Sequence, residues 1–284
     1  MNLSSPAAVT ALLKKHHLRP RRRFGQNFLV DANTLAKIVQ AGDVGPGDRV
    51  LEIGAGLGTL TRALAEAVGE TGRVVSLEID RGLLPALEET VGALPQVAVV
   101  PGDALALDWP AFLTAQFGDA PLKAVANIPY NITSPLLTAL LAQRGRLSRI
   151  VLLVQKEVAQ RLAAAPGTPD YGALTVFVQF HAAVETVGIV PGRVFLPAPD
   201  VDSAIVRLVP HATPPVSVAD EAQLFAIVRA AFGQRRKSLL NALSGDPALG
   251  WTRERAAAAL EKAGIDPQRR GESLSLAEFG KLAG

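Results

Sequence analysis

The chain of 284 residues contains no cysteine, so disulfides and thiolate metal sites are excluded. Its four histidines form no ligand cluster with carboxylates, and His16 and His17 are adjacent, the wrong spacing for one helix face; no metal is expected. No apolar run is long and uninterrupted enough to span a bilayer, so no membrane partner is expected. Met1 to His17 lacks the apolar core and cleavage site of a secretory signal, which points to the cytoplasm; an organellar transit peptide is the lesser alternative. No internal repeat is evident. Acid is absent from the first thirty residues, which hold six basic ones, Lys14, Lys15, Arg19, Arg21, Arg22 and Arg23. The remainder carries 23 basic against 26 acidic residues, so the net charge of +3 belongs to an N-terminal arm. Such an arm suits a phosphate-bearing partner, although a solvated tail has the same composition.

What is present suffices for a core: apolar residues make up 49% of the chain, and its length allows one large domain and a small one. Val50–Ile53, Arg73–Ile79, Val97–Val100, Leu122–Ala126 and Ile150–Val154 read as strands. Helical patterns follow at Thr59–Val68, Arg81–Val91 (interrupted by Pro85), Ser134 to about Gln143 and Lys156–Ala164. Ser134-Pro135 reads as an N-cap with proline at the first helical position. This alternation predicts an α/β fold with a mostly parallel, doubly wound sheet. Val184–Val190 and Ala204–Val209 are joined too briefly for a crossover helix, which predicts an antiparallel pair at a sheet edge. Past Thr213-Pro214-Pro215 only helical patterns remain, at Ala219–Phe232, Lys237–Leu243, Thr252–Ala263 and Leu276–Leu282. The expected organisation is an arm over 1–30, a sheet domain over 31–211 and a helical domain over 216–284.

The strand Val50–Ile53 runs into Gly54-Ala55-Gly56-Leu57-Gly58, with glycine at alternate positions. Glycine allows the backbone to turn sharply and to approach a ligand without an intervening Cβ. The next helix points its free N–H groups at that ligand, favouring a carboxylate or phosphate. Glu78 ends the next strand, 24 positions beyond Gly54, where an acid accepts the ribose hydroxyls of an adenosine cofactor. Asp103 follows the third strand, where it could accept from the adenine amine. Singly each acid could be a solvated strand end; together, at consecutive strand ends, they describe an adenosine crevice. S-adenosylmethionine fits it best, because its tail would place the sulfonium between Gly54 and the loop after Ala126. A nicotinamide cofactor fits less well, for no hydride site is evident.

That loop is Asn127-Ile128-Pro129-Tyr130. An amide, a proline and an aromatic at a strand end suit a flat exocyclic amine held beside an electrophilic methyl group. Such an amine must pyramidalise to attack, and acceptors aimed at its hydrogens favour that geometry. The Asn127 side-chain oxygen and the Ile128 carbonyl are suitable acceptors, Pro129 restricts the backbone presenting them, and Tyr130 can stack on the base. No strong general base is needed, since the ammonium product sheds its proton to water. Phe195, in Phe195-Leu196-Pro197-Ala198-Pro199, could close the other face of a flipped base. It could equally be a core residue.

These segments resemble the ribosomal RNA adenine N6-dimethyltransferases, most closely the small-subunit (16S) branch, the kasugamycin dimethylases. The pieces are Arg23 to Leu29, Glu52 to Thr61, Leu77 to Asp80, Gly102-Asp103-Ala104, Asn127 to Ile132, Gln155 to Val158, Phe195 to Ser203 and Ala231 to Lys237, spanning Arg21 to about Ala242. The resemblance implies a Rossmann-like class I methyltransferase domain with a seven-stranded, mostly parallel sheet and a small all-α C-terminal domain. It implies dimethylation of two adjacent adenosines in a hairpin near the 3′ end of small-subunit rRNA, with S-adenosylmethionine, within a 30S assembly intermediate. By position it implies that Asn27, Leu29, Gly54, Gly56, Glu78, Asp103, Ala104 and Asn127 contact the cofactor. Asn127, Pro129 and Tyr130 would bind the amine and base, with Phe195 as stacking partner. Phosphate contacts are expected at Arg21, Arg22, Arg23, Arg235, Arg236 and Lys237, and a monomer is expected. The rivals are a 23S rRNA adenine methyltransferase of the macrolide-resistance type, an enzyme acting on DNA adenine, and an RNA-binding assembly factor without catalysis.

Overall fold

The computed structural model describes residues 3–21, 24–128, 132–234 and 236–284. They fall into two compact units, Met1–Ala159 with Glu185–Pro210, and Gln160–Val184 with His211–Gly284. The elements in chain order are α1 (Pro6–Lys15), β1 (Phe28–Leu29), α2 (Ala32–Ala41), β2 (Arg49–Ile53), α3 (Thr59–Val68), β3 (Arg73–Glu78), α4 (Leu84–Val91), β4 (Val97–Pro101), α5 (Trp109–Phe117), β5 (Leu122–Asn127) and α6 (Thr133–Ala142). They continue with β6 (Leu147–Gln155), α7 (Lys156–Leu162), α8 (Ala173–His181), β7 (Ala182–Val190), β8 (Phe195–Leu196), β9 (Ser203–Pro210), α9 (Glu221–Gly233), α10 (Leu239–Ser244), α11 (Arg253–Ala263) and α12 (Leu276–Ala283).

The main sheet has seven strands in the order β4-β3-β2-β5-β6-β9-β7. Neighbours from β4 to β6 are parallel, and β9 runs antiparallel to β6. Its inner strands are near-continuous apolar runs because helices cover both faces. On one face Val50, Val125, Val151 and Leu153 pack beneath Leu35 and Ile38 of α2 and Leu60, Leu64 and Val68 of α3. Strand order reverses between β2 and β5, so the carboxyl ends of these two strands open a crevice at the switch point, where ligands of such sheets bind.

Proline explains two helix starts. Pro85 sits in the first turn of α4, which begins at Leu84 rather than at the expected Arg81. Pro135 lies inside the first turn of α6, which begins at Thr133, one residue before the expected cap.

The basic arm is not a solvated tail. Pro6–Lys15 is a helix whose N-cap, Ser5, accepts from the Ala8 N–H at 3.2 Å. Its buried Val9, Leu12 and Leu13 pack with Phe28, Leu57 and Leu83. Lys15 and His16 fasten the far end to Glu89 of α4, at 2.7 and 2.8 Å.

The helical unit takes in more than the C-terminal tail, because Tyr171 and Val176 and Phe180 of α8 share a core with Leu224, Ile227 and Val228 of α9 and with Phe279 of α12. Three of its helices carry side-chain N-caps: Asp220, Thr252 and Ser275 accept from backbone N–H groups two or three residues on. Glu278 returns to the Ser275 N–H at 2.8 Å. Among the described residues no helix is long and apolar enough to cross a membrane.

One acid is sealed inside the sheet domain. Glu52 on β2 is 0% exposed. Its Oε2 accepts from the Thr61 and Ser76 hydroxyls, both at 2.6 Å, which ties β2 to α3 and β3. Among the described residues its Oε1 has no hydrogen-bond partner. Burial pushes the carboxyl up to about 7, against the two hydroxyl bonds. The folded chain therefore keeps a proton that the unfolded chain releases near 4.5, so stability is full below that value and falls as pH rises through about 7. Thermal melts should show a loss of roughly 1–3 kcal/mol between about pH 5 and about pH 8, and Glu52→Gln should remove that slope. A wild-type profile as flat as the variant's would contradict the assignment.

Candidate cofactor and base site

Gly54, Gly56 and Gly58 all adopt positive φ, at 82°, 59° and 86°. The turn they form is sewn to β3, because the Gly54 and Ala55 N–H groups both donate to the Leu77 carbonyl, at 2.9 and 3.2 Å. The glycines have different reasons. A Cβ on Gly56 would meet the Phe28 ring at 3.4 Å on the lining of the crevice, whereas a Cβ on Gly58 would lie 2.6 Å from Thr90 Oγ1 and 2.9 Å from Val91. The third glycine thus serves close packing of α3 on α4. Gly58 is also the N-cap of α3 and supplies no capping side chain, and Thr59 and Leu60 of the first turn line the crevice.

Glu78 closes the crevice from β3. It is 4% exposed, and both oxygens are held by backbone: Oε2 accepts from the Gly56 N–H and Oε1 from the Asp80 N–H, each at 2.7 Å. Burial pushes its carboxyl above the ordinary range, opposed by these two N–H bonds. Each oxygen keeps a second lone pair for a hydroxyl donor. Next to it Ile79 is 43% exposed, a large apolar side chain left open at the cavity wall.

One cavity brings together Asn27, Leu29, Gly54, Gly56, Glu78 and Asn127, along with Phe24, Gln26, Phe28, Ile79 and Ile128. Asn127 ends β5, and its Nδ2 donates to the Asn27 carbonyl at 3.4 Å, leaving Oδ1 as the acceptor. Asp103 and Ala104 do not line this cavity. Asp103 is exposed and its Oδ1 accepts from the Leu105 N–H at 2.9 Å, while Ala104 is buried. Both follow β4, and Gly102 donates to the Glu78 carbonyl at 2.9 Å, so they sit on the same edge of the sheet.

Phe195 is 4% exposed, paired through the backbone with Leu29 in the small β1–β8 sheet, and packed with Leu35 and Val190. Its ring stacks on a base only if those neighbours give way. Arg21, expected on phosphate, gives its Nη1 to Asp80 Oδ1 at 2.8 Å. Arg236 and Lys237 are exposed in the turn between α9 and α10 of the helical unit. Pro129, Tyr130, Arg22, Arg23 and Arg235 lie outside the described residues. Among the described residues no group of three or more His, Asp or Glu could hold a metal ion. Sequence reasoning missed Ile79, Asp80 and Gln26; the signal for Ile79 was a bulky apolar residue between two acids at a strand end.

The lining fits S-adenosylmethionine. A buried carboxylate with spare lone pairs suits the ribose, exposed Ile79 suits the adenine face, and the uncapped start of α3 beside Thr59 and Leu60 suits the carboxylate of the amino acid tail.

Comparison with known proteins agrees with this geometry. The family described as Ribosomal RNA adenine dimethylase matches residues 17–282. "Ribosomal RNA small subunit methyltransferase A" of Pelotomaculum thermopropionicum is 47% identical, over 99% of this chain and 96% of that protein. Its namesake in Moorella thermoacetica is 46% identical, over 99% and 98%. Among solved structures, a dimethyladenosine transferase from Plasmodium falciparum has a TM-score of 0.73 at 27% identity, covering 90% of this chain and 95% of that one. The 23S rRNA methyltransferase ErmE has a TM-score of 0.67 at 31% identity, covering 90% and 98%.

The role given to Gly58 is testable. Gly58→Ala should lower stability by about 2–4 kcal/mol through strain at positive φ and overlap with Thr90. Denaturant titration with an unchanged midpoint would show that the α3–α4 contact is looser than described.

Proposed function

The chain belongs to the ribosomal RNA adenine dimethylase family, and we propose that its substrate is a pair of adjacent adenosines in a hairpin near the 3′ end of small-subunit rRNA. It is an S-adenosylmethionine-dependent rRNA adenine dimethyltransferase, and the products are N6,N6-dimethyladenosines in 16S rRNA. The carrying observation is that Asn127, at the end of β5, opens onto the same cavity as Glu78 and the glycine turn. Similarity to small-subunit enzymes at 46–47% identity, against 31% for ErmE, favours the small-subunit branch over the 23S reading.

When bound, S-adenosylmethionine supplies an electrophilic methyl group. Glu78 holds the ribose hydroxyls, with Asn27 and Leu29 on the facing wall and Asp103 and Ala104 at the adenine end. Asn127 Oδ1 and the Ile128 carbonyl accept the hydrogens of the target amine and stabilise the charge that develops on its nitrogen. Pro129 restricts that backbone and Tyr130 stacks on the base, while Phe195 would have to leave its core packing to serve as the second face. These residues contribute mostly by alignment, because the amine needs no strong base. Arg22, Arg23, Arg235, Arg236 and Lys237 meet phosphates, and the helical unit positions the RNA. The enzyme acts as a monomer on a 30S assembly intermediate in the cytoplasm.

Mass spectrometry of small-subunit rRNA from cells with and without this protein tests the function. Two dimethyladenosines should vanish in its absence; an unchanged RNA would overturn the proposal. Tyr130→Ala should lower kcat by about a hundredfold or more while cofactor affinity changes little, as expected for base stacking. Equal losses in both would make its role structural. Reversing charge at Arg236 and Lys237 should weaken RNA binding and reduce its salt slope by roughly 2, about one unit per lost phosphate contact. An unchanged slope would remove both from the interface.

A further inference from the structure

Residues 24–29 form one wall of the cofactor cavity, and the far end of that wall is fixed where Phe28 and Leu29 pair with Leu196 and Phe195. Its near end is fixed by Asp80, a carboxylate only 3% exposed. Asp80 Oδ1 accepts from Arg21 Nη1 at 2.8 Å and from the Gly82 N–H at 3.0 Å, and Oδ2 accepts from Gln26 Nε2 at 2.8 Å. Gln26 Oε1 in turn accepts from the Arg21 N–H at 2.8 Å, which closes a ring between the arm and the end of β3. The Asp80 N–H donates to Glu78 Oε1 at 2.7 Å, so the same residue braces the ribose acid.

We propose that Arg21, Gln26 and Asp80 form a latch that sets how tightly and how long the cofactor is held. Closed, the latch keeps Phe24 to Asn27 against the crevice; opened, it frees that wall and lets the cofactor exchange. The proposal rests on reading the cavity as the cofactor site. Arg21 and Asp80 do not line the cavity and act through Gln26 and Glu78, so they are positioning residues. The buried acid gives the latch its strength, since a carboxylate withdrawn from water is stable only when paired and hydrogen-bonded. The Arg21 side chain, 46% exposed, gives it a handle, because solvent and salt reach the pair from that side.

The test uses the full chain and S-adenosylhomocysteine, with affinity from calorimetry and release from stopped flow. Arg21→Ala and Gln26→Ala should each raise Kd about tenfold, the size of one lost charge-assisted hydrogen bond, mainly through faster release. Arg21→Lys should fall between wild type and Arg21→Ala. Added salt should speed release from the wild type and leave Arg21→Ala unmoved, a response that simple loosening of the fold does not give. Exchange of the amides of residues 24–29 should rise in both alanine variants. If Arg21→Ala lowers the melting temperature, Gln26→Ala, which leaves the ion pair, carries the comparison. Folded variants with wild-type Kd and release rate would overturn the latch. A wild-type chain that takes up no S-adenosylhomocysteine would overturn the cofactor reading itself.

Discussion

The fold of the catalytic unit converges on one carboxylate. Glu78 takes a backbone N–H from the glycine turn on one oxygen and a backbone N–H from Asp80 on the other. Three segments distant in sequence thereby share a single fixed point: the turn after β2, the end of β3 and, through Asp80, the N-terminal arm. Because the acid is almost wholly buried, neither bond is readily exchanged for water, and loss of either would leave a desolvated charge short of a donor. The cavity exists in its present form because these contacts close together.

Around that point the buried acids divide the work by environment. Glu52 lies one layer deeper, held by two hydroxyls, and burial pushes its carboxyl up to about 7, which marks it as a structural group. Glu78 has backbone donors and an open side toward the cavity, which suits it to accept from a ligand. Asp80 has a guanidinium and an amide, which makes it a fastening. Three carboxylates within one sheet edge thus differ in role because their donors differ in kind.

Much of this was legible in the sequence, for identifiable reasons. The strands β2 to β4 are short apolar runs closed by glycine, acid and proline, and the alternation of β2 to β6 with helices dictates a parallel sheet. Glu78 was expected as the acid ending the strand after the glycine turn and Asn127 as the end of the strand beside the switch point, and both line the same cavity. What escaped depends on distance. Asp80 and Arg21 are 59 residues apart, and no local pattern links them. Helix α1 was hidden because its basic residues outweigh the spaced Val9, Leu12 and Leu13. The two-residue strands β1 and β8 are too short for any period to show. Helix α8 joins the helical unit through contacts with α9 and α12 that lie far along the chain. Phe195 was open between stacking and core, and in this structure it is core.

The ribose grip is the claim on which the cavity, the latch and the placement of the methyl donor all depend. Competition calorimetry with S-adenosylhomocysteine and its 2′,3′-dideoxy counterpart probes it without altering the protein. Loss of two hydroxyls that donate to a buried carboxylate should weaken binding about a hundredfold or more. Equal affinity for the two compounds would place the ribose elsewhere and contradict the account.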